Sequence, residues 1–126
     1  MVVTKGLIEI KKSRYGRGIF AARTIEEGEL IHEAPVIVCQ NIQIMFLHST
    51  ILRDYYFNWS DDRAAIALGY GSLFNHSYTP NARFKNNLEK EMIDFFAIEK
   101  IEAGEEILVN YNGDPDDKKA LWFDVL

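Results

Sequence analysis

Apolar and polar positions alternate over short distances along most of this chain. Residues 7–11 alternate loosely behind Gly6, and residues 19–22 form a short apolar run. Residues 30–32 and 36–39 are two further runs, divided by Pro35. Short apolar or alternating runs punctuated by glycine predict β-strands. Proline donates nothing to a strand ladder, so Pro35 predicts an edge or a bend. Between Ile42 and Phe57 the period changes. Ile44, Leu47, Ile51 and Tyr55 recur at spacings of three and four, with Phe46 and Leu52 beside them, which predicts one or two short helices. Strands then resume. Residues 82–85 and 92–98 read as a pair around an Asn86-Asn87 turn, and residues 107–111 as a last strand.

Turn chemistry separates these elements. Residues 13–18 read as a glycine-punctuated turn, Ser60-Asp61-Asp62 as a polar corner, and Gly28 suits a positive φ in the turn over residues 25–29. Residues 101–107 repeat the logic of residues 25–31: isoleucine, glycine, acid, then an apolar strand. Two copies make a shared turn type and not a solenoid. The polar loop over residues 112–117 leads to Leu121-Trp122-Phe123, a large aromatic surface. The pattern as a whole predicts a mainly β fold with short helices. It fits a single domain over residues 1–126, with a core at about residues 8–111 and a closing segment at residues 112–126.

Composition narrows the function classes. A length of 126 residues, 48% hydrophobic, is enough for a real core. The net charge of −5 argues against a nucleic-acid-binding face and is compatible with a basic peptide partner. The one cysteine, Cys39, excludes an internal disulfide and a multi-thiolate zinc site, and its place after Val36-Ile37-Val38 predicts a buried structural thiol. His32 and His48 have no ligand partners at metal spacing, so both read as structural and no metal site is expected. No secretion signal and no membrane-length apolar run is visible, so the expectation is a soluble protein of a reducing compartment.

One stretch stands apart. Residues 69–81, Gly-Tyr-Gly-Ser-Leu-Phe-Asn-His-Ser-Tyr-Thr-Pro-Asn, set apolar anchors (Leu73, Phe74) directly against a polar cluster (Asn75, His76, Ser77) and a turn. That arrangement suits a site where backbone and amide groups face a ligand. It also suits a buried strand with a polar turn, and the rest of the chain decides between the two. Tyr15-Gly16-Arg17-Gly18 precedes it, and Gly104-Glu105-Glu106-Ile107-Leu108-Val109-Asn110-Tyr111 follows it.

In these pieces and their order, the chain resembles the SET-domain family of protein-lysine methyltransferases over nearly its whole length, from about Ile8 to Phe123. It looks most like the minimal viral and bacterial members. The resemblance implies small twisted β-sheets around a knot-like C-terminal segment, S-adenosylmethionine as cofactor and a protein lysine as acceptor. It implies that Gly16, Arg17 and Gly18 form the cofactor turn, and that Asn75 and His76 bond the cofactor's amino group and adenine, largely through backbone. It implies that Tyr111 is the active-site tyrosine, contacting both cofactor and amine, and that Tyr55 on the helical insert is a channel tyrosine. Tyr56, Tyr70, Tyr78, Phe84 and Phe96 are further candidates for an aromatic channel. Phe84 or Phe96, lacking a hydroxyl, would leave room for more than one methyl group.

The chain also departs from the family. Tyr78 and Ala82 stand where many members have cysteine, the zinc-binding C-terminal cysteines are missing, and Asn110 stands where an acid is common. Trp122 and Phe123 would instead close the cofactor side by stacking on adenine, and the same C-terminal aromatics are compatible with a homodimer. The expected partner is a basic protein or peptide, such as a histone, with no direct nucleic-acid or membrane binding. The expected location is the cytoplasm for a bacterial protein, and the nucleus or cytoplasm otherwise. The rival readings are a catalytically degenerate SET domain and a β-rich module that binds a partner without catalysis.

Overall fold

The computed structural model describes residues 6–121, so Trp122 and Phe123 lie outside the described residues. β1 (Ile8–Ser13) and β2 (Gly16–Ala21) form an antiparallel hairpin. Its register pairs Ser13 with Gly16, so the turn is only Arg14-Tyr15 and Gly16-Arg17-Gly18 already belongs to β2. The broad turn expected over residues 13–18 is thus tighter. The Ser13 hydroxyl accepts from the Tyr15 amide at 3.2 Å, and Gly16 takes φ +112°, which closes the hairpin early.

β3 (Leu30–Cys39), β4 (Phe57–Trp59), β5 (Arg63–Ala67), β7 (Ala82–Asn87) and β8 (Met92–Ala97) build a five-stranded sheet in the order β4-β5-β3-β8-β7. Pro35 does not divide β3. Leu30 to Pro35 pair with β8 on one side, and Val36 to Cys39 pair with β5 on the other. The missing amide proton therefore falls where the strand changes partner, and the strand runs through. The β7–β8 turn also lies beyond the expected Asn86-Asn87. Both asparagines belong to the ladder, and Asn87 Oδ1 accepts from the Lys90 amide at 3.1 Å to close the turn one step later. The two similar isoleucine turns meet each other: Ile25 and Ile101 exchange both backbone hydrogen bonds at 2.8 Å, and both are fully buried.

The helical insert comprises 3-10 turns at Asn41–Gln43 and Ile51–Asp54 around α1 (Ile44–Leu47). The element type follows the three-four spacing, yet none of these residues is buried, and Ile42, Met45, Phe46 and Ile51 are exposed. Cys39 is half-buried, where a buried thiol was expected. In β8 the strict alternation turns Phe95 inward, where it stacks on Phe74 with centroids 4.3 Å apart, and leaves Phe96 beside the Arg83 guanidinium.

β6 (Asn75–His76) and β9 (Leu108–Val109) pair in parallel, with Asn75 opposite Leu108 and His76 opposite Val109. Asn81 secures the pairing. Its amide nitrogen donates to the Glu106 carbonyl, and its oxygen accepts from the Leu108 amide, each at 2.9 Å. The last strand is thus shorter than the expected residues 107–111, and this parallel pair sets the Asn-His segment beside β9, two residues before Tyr111.

Candidate active site

Two clefts meet at the end of β9. The first, of about 550 Å³, is lined by Tyr15, Gly16, Arg17, Leu73 and Asn75. The second, of about 540 Å³, is walled by Tyr56, Phe57, Phe74 and Phe84, with Arg53, Arg83 and Asn86 toward its polar side. Asp54, Tyr55, Ser72 and Tyr111 line both. A molecule in one cleft can therefore reach a molecule in the other past two tyrosines.

Tyr111 is held from two directions. Its amide donates to His76 Nδ1 at 2.9 Å, and its hydroxyl donates to the Phe74 carbonyl at 2.7 Å. Because Nδ1 accepts, the neutral His76 ring carries its proton on Nε2. Burial lowers the His76 pKa, which keeps the ring neutral. The Tyr111 hydroxyl is pushed up to about 12, first by burial and then by Tyr55 and Glu106 nearby. It is a protonated phenol throughout the physiological range.

Asn75 ties the start of β2 to the approach to β9. Its side-chain nitrogen donates to the Arg17 carbonyl at 2.9 Å and to Glu106 Oε2 at 2.8 Å. Gly18 lies just beneath this contact. A Cβ built there would stand 2.1 Å from Glu106 Oε2 and 2.8 Å from Asn75 Nδ2. The second glycine of the Gly-x-Gly piece thus admits a carboxylate and an amide where any side chain would collide with them.

The fold brings Gly16, Arg17, Gly18, Asn75, Tyr55 and Tyr111 around one pair of clefts. The His76 side chain is buried behind the clefts and latches the Tyr111 backbone. Among the other aromatic candidates, Tyr56 and Phe84 wall the second cleft. Tyr70 packs against His32, which accepts from the Tyr70 amide. Tyr78 packs on His76 and donates to the Lys119 carbonyl, so it anchors the C-terminal loop and does not wall the channel. Phe96 lies outside both clefts. His48, read as structural, bonds the Tyr56 hydroxyl at 2.8 Å at the edge of the second cleft.

Sequence reasoning overlooked Phe57 and Phe74 as walls, and it gave Glu106 no role in the site. Strand period held a signal for Glu106. Of the adjacent pair, Glu105 is exposed and caps the Glu102 amide, so the next residue points to the other side.

The first cleft fits the cofactor that the resemblance implies. Its volume lies in the usual range for small-molecule pockets, about 300–1,000 Å³. Tyr15, Tyr55 and Tyr111 line it with aromatic rings that suit a sulfonium or an adenine, and Asn75, whose amide nitrogen is taken by Arg17 and Glu106, lines it with an acceptor oxygen that suits an ammonium group.

The comparisons with known proteins agree with this geometry. The SET domain matches residues 16–112. A Schizosaccharomyces pombe protein named histone-lysine N-methyltransferase, H3 lysine-37 specific, is 32% identical over 124 residues, covering 97% of this chain and 80% of the relative. Among solved structures, a Plasmodium falciparum protein assigned as a candidate histone methyltransferase superposes with a TM-score of 0.71 at 29% identity, over 85% of this chain and 94% of that one. The Chaetomium thermophilum Polycomb Repressive Complex 2 superposes with a TM-score of 0.69 at 26% identity, over 82% of this chain but 15% of that one. By its β9–β6 pairing, its two clefts and these likenesses, the chain belongs to the SET-domain family of protein-lysine methyltransferases.

Proposed function

We propose that this chain methylates lysine ε-amines of a basic protein, histones foremost, with S-adenosylmethionine bound in the cleft of Gly16, Arg17 and Asn75. The carrying observation is that the two clefts meet at Tyr55 and Tyr111. When bound, S-adenosylmethionine supplies an electrophilic methyl group on a sulfonium. The remaining work belongs to the chain. Tyr56, Phe57 and Phe84 offer an acceptor lysine an apolar wall that disfavours its ammonium form, whose ordinary pKa is near 10.4. Tyr111, its hydroxyl oriented by the Phe74 carbonyl, lies where the amine enters and aligns it.

The histone assignment draws on the name of the fission-yeast relative and on the net charge of −5, which attracts a basic tail. Calorimetric titration with S-adenosylhomocysteine tests the cofactor cleft. Saturable binding that weakens about tenfold or more in Asn75→Ala is expected. Binding that ignores the substitution would move the cofactor elsewhere, and no binding would favour a partner-binding module.

A further inference from the structure

Glu106 sits where the Gly16-Arg17-Gly18 segment, Asn75 and the approach to β9 come together, while Asp54 lines the cleft itself; the lysine-transfer chemistry leaves Glu106 without a role. Its Oε1 accepts from the Ser13 hydroxyl and its Oε2 from the Asn75 amide nitrogen, each at 2.8 Å. The same Asn75 nitrogen donates its other hydrogen to the Arg17 carbonyl at 2.9 Å. Both amide hydrogens are then spent on the protein. Flipping the amide would set its oxygen against a carboxylate and a carbonyl, so the orientation is locked. The atom of Asn75 left for a ligand is Oδ1, an acceptor, on a residue that lines the cleft.

The charge points the same way. Among the described residues no Lys, Arg or His forms an ion pair with Glu106. Its charge is nevertheless felt at Tyr111, where it helps raise the phenol's pKa. A half-buried carboxylate held by neutral donors is best balanced by a cation arriving with the ligand. Gly18 makes the arrangement sterically feasible, since its missing side chain is the space that Oε2 occupies.

We infer that Glu106 is a positioning residue for the cationic amino end of the cofactor. It fixes the Asn75 amide with Oδ1 toward the cleft and leaves one uncompensated negative charge behind it. The inference rests on the reading of that cleft as the cofactor side. A ligand lacking the amino group then loses most of what Glu106 contributes.

The test is calorimetry on the full chain with two ligands: S-adenosylhomocysteine, and its deaminated analogue, which keeps the adenosine, thioether and carboxylate. The wild-type chain should prefer the amino-bearing ligand. Glu106→Gln, which keeps the shape and removes the charge, should weaken S-adenosylhomocysteine by about tenfold or more and leave the deaminated analogue within about twofold. Equal weakening of both ligands would make Glu106 a mere brace of the hairpin and overturn the inference, as would no weakening of either. Glu106→Asp, which retains the charge, should keep the preference for the amino group, and its loss there would also count against the inference. A wild-type chain that binds both ligands equally overturns it without recourse to any variant. A wild-type chain that binds neither overturns the cofactor-side reading itself.

Discussion

Tyr111 carries the most weight of any single side chain, because its hydroxyl, its amide and its ring each have a separate task. Removing only the hydroxyl, in Tyr111→Phe, should lower kcat by about 100-fold or more while S-adenosylhomocysteine still binds. An unchanged kcat would take the phenol out of the mechanism. With that phenol pushed up to about 12, a rise in rate between about pH 7 and 9 is expected to follow deprotonation of the acceptor lysine and not of Tyr111. The residual activity of Tyr111→Phe should therefore keep the same pH profile, and a flat profile in the variant would assign the titration to Tyr111. Phe84 walls the second cleft, whereas Phe96 faces Arg83. Adding a hydroxyl in Phe84→Tyr should shift products toward monomethyl-lysine by mass spectrometry, and an unchanged product distribution would deny Phe84 a role in limiting methyl number. At this scale the sequence was readable wherever a residue type is rare in its context, as with Asn75, His76 and Tyr111. It was opaque for Glu106 and Phe74, ordinary residue types whose importance comes from contacts made across the fold.

Short elements are held here by side chains reaching across them. Asn110 is buried, and its amide nitrogen donates to the Asp117 and Pro115 carbonyls while its oxygen accepts from the Asn112 amide. The common acid of the family could not donate in this position. Asn110→Asp should cost about 1–3 kcal/mol, read as a lower urea midpoint with an unchanged slope. A midpoint equal to wild type would show that the C-terminal loop does not depend on this amide. Gly71 sits in the 3-10 turn Gly71–Leu73 before β6, with the Ala34 and Ala67 methyls 2.6 and 2.7 Å from where its Cβ would be. Gly71→Ala should destabilise by about 1–3 kcal/mol through overpacking. Element types were largely legible from period and turn residues. The boundaries moved where a side chain or a change of partner overrode local preference, at Ser13, Pro35 and Asn87. The burial of the insert was not legible, because its three-four spacing specifies a face without saying what covers it.

The whole molecule responds to pH and salt through groups dispersed over the fold. Burial lowers the pKa values of His32 and His76, so the folded chain holds both rings neutral below the ordinary value of about 6.5. Their contribution to stability is complete above that pH and is lost as the pH falls through the depressed folded values. The melting temperature should therefore drop on acidification from pH 7.5 toward 5, and histidine Cε1 proton shifts should report folded-state titration below 6.5. Titration of both rings at 6.5 would contradict the burial argument. The net charge of −5 should make kcat/KM on a basic protein fall several-fold between about 50 and 200 mM salt, through KM more than kcat. The most direct test of the account is intact-mass analysis of core histones incubated with the wild-type chain and S-adenosylmethionine. The account predicts mass gains in single-methyl steps, mapped to lysine and nearly absent with Tyr111→Phe. Methylation that persists in the variant, or that maps to a residue other than lysine, would contradict it.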